Sequence, residues 1–156
     1  MAVLKIVKFD DPMIRKVSRP VDEITPRICR LIDDMIDTMR NAGGCGLAAV
    51  QVGVLRRVVV IEIEDGVVYE MINPKIVAFA GEQQESEGCL SNPGQYGITK
   101  RPKAVTVRAL DRNGKEYELK GTDLLARAIC HECDHLDGKL YTDVQIRPLT
   151  KEELEG

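Results

Sequence analysis

The whole histidine content of this 156-residue chain lies in one pentapeptide, His131-Glu132-Cys133-Asp134-His135. The apolar stretch before it, residues 124–129, predicts a helix that Thr122 or Asp123 can cap and Gly138 can end. Side chains four residues apart lie one above the other on a helix. The chain must therefore fold so that both imidazoles face the same point.

Two imidazoles in this arrangement can bind one metal ion. Glu132 is offset to the side, where its carboxylate can contact a water beside the ion without being a ligand. The pattern therefore indicates the acid-base geometry of a metal-dependent hydrolase. The alternative, two unrelated histidines satisfied in the core or at the surface, leaves unexplained why both fall in one pattern.

Catalytic metal sites typically use three protein ligands and keep one position open. This chain has no third histidine, so another residue type must supply the third ligand. Downstream carboxylates are available but lie in no distinctive motif: Asp137, Asp143, Glu152 and Glu153. Upstream, Glu87-Gly88-Cys89-Leu90-Ser91 places a thiol beside a glycine, where the backbone can approach an ion closely. Cys89 is the better candidate.

The five cysteines are an odd number at irregular spacing, which does not indicate a disulfide framework. Cys130 and Cys133 form a C-x-x-C pair, a pattern shared by redox motifs and zinc half-sites. On the predicted helix they point away from the histidine pair and lie far from its N-terminal dipole. A structural role is favoured for both.

The remaining pattern predicts an α+β fold. Apolar residues recur at helical spacing over 25–41, with Thr25 as N-cap and Pro26 at the first helical position. Four β-rich runs form two hairpins around Asp65-Gly66, with a two-residue turn or a close variant, and Asn113-Gly114; the runs are 57–63, 67–72, 103–110 and 116–120. We expect antiparallel β-sheets packed around a central His-Glu-x-x-His helix, an N-terminal amphipathic helix, and one catalytic domain of residues 1–156.

Charge and the N-terminus restrict partners and location. The net charge of -3 comes from interspersed signs, which argues against nucleic acid as a partner. The first nine residues contain Lys5 and Lys8 within a short apolar run, without the features of a signal peptide or a membrane span. We therefore expect a cytoplasmic protein with no membrane partner.

A run of small residues, 43–51, follows the first helix. Its glycines are sufficient to end that helix and permit a loop. They also leave a strip of backbone that a peptide can approach and pair with, as an added strand does. Gln51 can then donate a side-chain N–H to a developing oxyanion.

Three segments together resemble the signature motifs of peptide deformylases: Gly44-Cys45-Gly46-Leu47-Ala48-Ala49-Val50-Gln51, Glu87-Gly88-Cys89-Leu90-Ser91 and His131-Glu132-Cys133-Asp134-His135. The similarity extends to Asp11-Pro12-Met13-Ile14-Arg15-Lys16-Val17 and to Arg101-Pro102, in the order of the family and over nearly the whole chain.

The resemblance implies removal of the N-formyl group from the formyl-methionine that begins new polypeptides. It implies one divalent metal per chain, Fe²⁺ natively, with Zn²⁺, Ni²⁺ or Co²⁺ in preparations. The implied ligands are Cys89, His131 and His135, and the implied acid and base is Glu132. Gln51 and the backbone N–H of Leu90 match the donors that hold the formyl oxygen.

The resemblance also implies a substrate site. Cys45, Gly46 and Gly88 match positions that pair with the substrate backbone, and Leu124, Ala128 and Glu87 match the surroundings of the methionine side chain. Arg101 matches a residue that pairs with Glu87 or Asp134. The partners implied are N-formyl-methionyl nascent peptides, with transient proximity to the ribosome.

Four features depart from the usual pattern of the family. Val50 replaces a common proline, Cys130 a frequent glutamine and Cys133 an aliphatic residue. The thiols at 130 and 133 bear on oxidation resistance more than on activity. The chain ends in the acidic segment 151–156, whereas some relatives continue into a basic helix that contacts the ribosome.

Two other functions fit the histidine pattern. A zinc endopeptidase with a downstream carboxylate as third ligand would cut internal peptide bonds. A metal-binding or thiol-sensing protein without catalysis would turn over neither substrate. Assays with blocked internal peptides and with formylated peptides separate the three.

Overall fold

The computed structural model describes residues 2–156, so Met1 of the N-terminal stretch considered above lies outside it. Within this range the α-helices are α1 (Pro26–Asn41), α2 (Asp123–Leu136), α3 (Tyr141–Val144) and α4 (Lys151–Glu155). The strands are β1 (Gly46–Ala48), β2 (Val58–Ile61), β3 (Tyr69–Ala80), β4 (Gln83–Gly88), β5 (Tyr96–Arg101), β6 (Ala104–Leu110), β7 (Glu116–Thr122) and β8 (Gln145–Pro148). All pairings between strands are antiparallel, which confirms the predicted α+β class with antiparallel sheets.

Helix α1 begins after an N-cap residue, Thr25, whose side chain makes the capping hydrogen bond. The hydroxyl of Thr25 accepts a hydrogen bond from the Ile28 N–H at 3.3 Å, and Pro26 occupies the first turn, where no N–H is needed. Its apolar face is buried at Ile32 and Met35, among other residues. The helix therefore presents one stripe to the sheet behind it.

The larger sheet has the strand order β1-β2-β3-β6-β7 and is covered on both faces. Along β2, Val58 and Val60 pack in one apolar cluster with residues of α1. Val59 and Ile61 pack in the other cluster, with residues of α2. Because side chains alternate along a strand, this division places α1 and α2 on opposite faces of the sheet.

The first hairpin differs from the two-residue turn that the sequence suggested. Ile61 pairs with Tyr69, so residues 62–68 form the loop, and Gly66 adopts φ 85° within it. The carboxylate of Glu62, the first residue of this loop, accepts from Arg40 of α1 at 2.9 Å and from the Gly66 N–H at 2.9 Å. The loop therefore has contacts of its own, one of them to a distant helix.

A second sheet, with strand order β4-β5-β8, did not emerge from the sequence pattern. Strand β4, with the sequence QQESEG, is polar and mostly exposed, so hydrophobic alternation could not identify it. Strands β1 and β4 each have one strand neighbour among the described residues and are therefore edges of their sheets. Edge strands carry backbone groups that remain available for pairing.

The two ends of helix α2 differ in how their backbone groups are bound. It starts after Thr122, whose side chain makes no cap hydrogen bond, although the sequence had suggested one. At its other end, Gly138 adopts φ 74°, and Arg57 donates from Nη1 to the Leu136 carbonyl at 3.1 Å. Among residues 2–156, no helix is both long enough and apolar enough to cross a membrane.

Candidate active site

Three side chains from distant parts of the chain meet beside α2. The Sγ atom of Cys89 lies 3.3 Å from His135 Nε2, which lies 3.2 Å from His131 Nε2. All three atoms lie within 4.8 Å of one another. Ligands of one tetrahedral zinc ion, at bond lengths of about 2.0–2.3 Å, are themselves separated by about 3.3–3.7 Å. The spacing therefore fits a single ion of that size.

The tautomer of His131 is set by a carboxylate. Its Nδ1 lies 2.5 Å from Oε2 of Glu87. Because this ionised carboxylate can only accept a hydrogen bond, Nδ1 carries the proton and donates it. With the Nδ1 proton committed, the lone pair of Nε2 points toward Cys89 and His135. This pairing of a carboxylate with the far nitrogen is typical of histidines that bind metals.

Glu87 is the centre of a buried ion network. Arg101 donates to it at 2.7 Å and to Asp134 at 2.7 Å, and Thr99 donates to it at 2.8 Å. Burial alone would raise the pKa of Glu87, but hydrogen bonds from His131 and Arg101 lower that pKa to about 2. Glu87 therefore stays ionised. Arg101 pairs with both Glu87 and Asp134, the two partners that the family resemblance implied for it.

The two imidazoles differ electrostatically. Burial lowers the pKa of His131, but the negative charge of Glu132 and the contacts with Cys89 and Glu87 raise that pKa well above its ordinary value. Burial and the charge on His131 hold the pKa of His135 well below its ordinary value. A metal requires neutral imidazoles, and the lowered pKa of His135 favours that form.

Of the four buried side-chain polar atoms without a hydrogen-bond partner among the described residues, two belong to the catalytic and ligand residues of this site. They are Nδ1 of His135 and Oε1 of Glu132. Buried polar groups are normally paired, and unpaired ones need an explanation. The unpaired Oε1 of Glu132 is an acceptor available to a reactant, and the sulfur and nitrogen donors beside it suit zinc, iron, cobalt and nickel.

Glu132 lies beside the three ligand atoms, with 4% of its surface exposed. Burial raises its pKa to about 7, although the charge on His131 opposes the shift. A carboxylate with a pKa near neutrality can both accept and release a proton, which is what a general base and acid requires.

Gly46 gives Glu132 its space. A Cβ atom added to Gly46 would lie 2.6 Å from Oε2 of Glu132, closer than nonbonded atoms approach. Similarly, a Cβ atom on Gly44 would meet the side chain of Leu90, and one on Gly88 would meet the ring of Tyr96. Small residues therefore let the edges of β1 and β4 approach the site closely.

We expect Gly46→Ala to lower kcat for the reaction of this site about 100-fold, because a displacement of about 1 Å at a reacting group has a cost of that order. Metal content should stay equal to that of the parent, since Gly46 contacts none of the three ligand atoms. Steady-state kinetics and metal analysis of the same sample check both points. Unchanged kcat would show that the position of Glu132 does not matter.

Gln51 is oriented by its own backbone. Its Oε1 accepts from the Ala48 N–H at 2.9 Å, so its Nε2 is the end that faces the site. Nε2 donates to Ser91 Oγ at 3.0 Å and to Cys89 Sγ at 3.4 Å. Among the described residues, the backbone N–H of Leu90 has no acceptor. Two N–H donors thus lie beside Cys89: that of Leu90 has no acceptor, whereas Gln51 Nε2 is held by Ser91 and Cys89.

The ligand atoms lie at the base of a cleft of about 570 Å³. The site residues proposed from the sequence line it except His135 and Arg101, which are both buried. Leu124, Ala128 and Glu87 lie on one wall, although the Glu87 carboxylate is already engaged by Arg101 and His131. Cys45, Gly46 and Gly88 also line the cleft.

Several residues of the site were not identified from the sequence. Lys8, Asn92, Tyr96 and Arg127 line the cleft, and the ring of Tyr141 stacks on that of His131 at 6.0 Å. The segment Asn92-Pro93-Gly94 has the composition of a turn, but nothing local shows where a loop points. The stacking of Tyr141 has no local signal in the sequence.

Cys130 and Cys133 lie on the apolar side of α2. Cys130 belongs to the cluster between α2 and the larger sheet, and Cys133 packs against it. Burial raises the pKa of Cys130 to about 11 and that of Cys133 to about 12. Both thiols therefore remain protonated and act as small apolar side chains.

The fold and the site define a class of protein. An α+β fold with antiparallel sheets contains a helix whose His-Glu-x-x-His pattern meets a distant cysteine, in a cleft with two edge strands. This is the arrangement of a metal-dependent hydrolase that acts on peptides.

Comparison with known proteins gives the family. The family model described as Polypeptide deformylase matches residues 3–152. A peptide deformylase of Caldanaerobacter subterraneus subsp. tengcongensis is 54% identical over 156 residues, which cover 100% of this chain and 98% of that protein. One of Thermoanaerobacter pseudethanolicus is 53% identical over 155 residues, which cover 99% of this chain and 97% of that protein. The chain belongs to the polypeptide deformylase family.

Solved structures agree. A peptide deformylase from Legionella pneumophila superposes with a TM-score of 0.89 at 42% identity, covering 99% of this chain and 90% of that one. A peptide deformylase from Ehrlichia chaffeensis in complex with actinonin has a TM-score of 0.90 at 38% identity, covering 99% of this chain and 93% of that one.

Proposed function

We propose that this chain hydrolyses the N-formyl group from the formyl-methionine of newly made polypeptides. The observation that carries the proposal is the meeting of Cys89 Sγ, His131 Nε2 and His135 Nε2 within 4.8 Å, beside the buried carboxylate of Glu132. Membership of the deformylase family supports the choice of reaction.

Cys89, His131 and His135 hold one divalent metal in this proposal. When bound, such a cation would polarise a carbonyl and lower the pKa of its bound water to about 7. The thiolate and two imidazoles suit iron, zinc, nickel or cobalt, and we propose Fe²⁺ as the native metal because of the family resemblance. The network of Glu87, Arg101 and Thr99 fixes the ring of His131 so that its Nε2 faces the other two ligands.

The substrate lies between the two edge strands. The backbone near Cys45 and Gly46 on one side and Gly88 on the other pairs with an extended peptide, since both edges line the cleft. The methionine side chain lies against Leu124 and Ala128. This placement brings the N-terminal formyl group to the base of the cleft, where Glu132 and Gln51 lie.

Three groups of the protein take part in the reaction: the carboxylate of Glu132 and the N–H donors of Gln51 and Leu90. Glu132 accepts a proton from the attacking water at the carboxylate and delivers it to the departing amine nitrogen. Gln51 Nε2 and the Leu90 N–H donate to the formyl oxygen as negative charge develops on it. Burial of the site excludes bulk water, which strengthens each of these contacts.

Gln51→Glu should lower kcat about 10²–10³-fold, the usual effect of losing one oxyanion donor. The variant keeps an oxygen that accepts from the Ala48 N–H, so the local backbone contact survives. Stopped-time assays with a formyl-Met peptide measure the change, and metal analysis excludes loss of the ion as its cause. A variant that holds its metal and retains full kcat would contradict the assigned donor.

We further propose that residues 1–156 act as a single catalytic domain built around the central helix α2, with the amphipathic helix α1 as scaffold. The two apolar clusters support this proposal, because one joins α2 to the larger sheet and the other joins α1 to its opposite face. Nascent formylated peptides are the partners, reached by transient proximity to the ribosome in the cytoplasm.

One experiment tests the metal and the reaction together. The protein is purified anaerobically, its metal is measured, and formyl loss from a formyl-Met peptide is followed by mass spectrometry. We expect about one metal per chain and a product lighter by the formyl group. Cleavage of a blocked internal peptide instead would indicate an endopeptidase, and turnover of neither substrate by the metallated protein would indicate a binding protein.

A further inference from the structure

Tyr141 occupies a position that its place in the sequence does not suggest. It is 2% exposed, and its ring lies parallel to that of His131, at 6.0 Å and an angle of 20°. Phe9 packs against it at 5.8 Å. One metal-binding imidazole of the proposed site thus rests on a buried aromatic ring that is itself held in place.

The hydroxyl of Tyr141 contacts the segment that carries another ligand. After Cys89, the chain makes two successive turns, closed by the Asn92 N–H to the Cys89 carbonyl at 2.9 Å and the Gln95 N–H to the Asn92 carbonyl at 3.4 Å. In the second turn Pro93 precedes Gly94, whose φ of 80° suits a type II turn.

Tyr141 spans this second turn from end to end. Its hydroxyl accepts from Asn92 Nδ2 at 3.0 Å and donates to the Gln95 carbonyl at 3.2 Å. The same side chain therefore contacts the ring of His131 and braces the loop that follows Cys89. Because α3 begins at Tyr141, directly after the chain leaves α2, this contact joins the two segments that supply the ligands.

We propose that Tyr141 is a positioning residue that keeps the Cys89 loop in register with His131 and so slows release of the metal. The inference rests on the proposed metal site. It assigns the hydroxyl a role distinct from simple packing, since a phenylalanine would stack on His131 equally well but would leave the Asn92 amide and the Gln95 carbonyl without their partner.

The test uses full-length protein loaded anaerobically with Co²⁺, whose absorption reports a bound thiolate. Release into excess chelator is followed for the parent, Tyr141→Phe and Asn92→Ala. Each variant should lose Co²⁺ about 10-fold faster than the parent, the lower end of the effect seen when groups behind metal ligands are removed. The double variant should be no faster than Tyr141→Phe, because that substitution already removes the contact between Tyr141 and Asn92 that Asn92→Ala removes.

Tyr117→Phe is the matched control. It also removes a hydroxyl that binds a backbone carbonyl, that of Glu70, but Tyr117 lies in β7 and does not line the cleft. It should release Co²⁺ at the parent rate. Parent-like release from Tyr141→Phe, or equal acceleration by Tyr117→Phe, would overturn the proposal. A parent that binds Co²⁺ through its thiolate but leaves formyl-Met peptides intact would refute the proposed reaction without affecting this comparison.

Discussion

Glu132→Gln is expected to lower kcat on a formyl-Met peptide about 10²–10⁴-fold while its metal content stays that of the parent. The substitution keeps the shape of the side chain but removes the group that accepts and returns the proton. Glu132 Oε1 has no partner among the described residues, so no hydrogen bond is lost. The thermal midpoint should therefore be at least as high as that of the parent.

Glu85→Gln provides the control for charge. Glu85 lies on β4, is exposed, and does not line the cleft, yet its substitution removes the same single negative charge. It should leave kcat unchanged. If Glu132→Gln turned over as fast as the parent, or if it emptied the metal site, Glu132 would not be the acid and base.

Cys89→Ala is expected to abolish both metal retention and turnover. The two histidines alone leave the ion short of the three protein ligands that catalytic sites typically use. After dialysis against a chelator, we expect less than about a tenth of the metal of the parent, because loss of a ligand costs more than the 10–100-fold effect of an outer contact. Metal analysis and the formyl-release assay measure the two effects on one preparation.

Cys29→Ala separates this loss from a general effect of removing a thiol. Cys29 is also a free cysteine, lies on α1 and is absent from the lining of the cleft. It should keep its metal and its activity. One tightly held metal per chain in Cys89→Ala would show that the third ligand lies elsewhere, for example among the downstream carboxylates.

The fold was predictable where local chemistry determines it. The α+β class with antiparallel sheets is confirmed, and Thr25 with Pro26 marks the start of α1 as their chemistry predicts. Strand β4 was missed because QQESEG has no apolar face, although its partner, β5, is the next strand along the chain. Likewise, Glu62, which follows β2, binds Arg40, a contact that no local pattern contains.

The candidate site likewise combines residues that could be predicted from local sequence with residues that could not. Residues in motifs could be proposed from the sequence, and Cys89 lies beside the histidine pair in the structure. The stacking of Tyr141, the bracing of the Asn92 turn and the donation from Thr99 to Glu87 could not, because each depends on the approach of separate elements. The metal ligands could be proposed from residue types in motifs, whereas the residues that hold those ligands in place can be identified only from the tertiary structure.

The most direct test of the whole account is X-ray absorption at the zinc edge of protein loaded with one Zn²⁺ per chain. We predict one sulfur at about 2.3 Å and two imidazole nitrogens at about 2.0–2.1 Å, with a light atom completing the tetrahedron. The sulfur should disappear in Cys89→Ala. A spectrum of the parent without any sulfur neighbour would contradict the claim that Cys89, His131 and His135 hold the metal together.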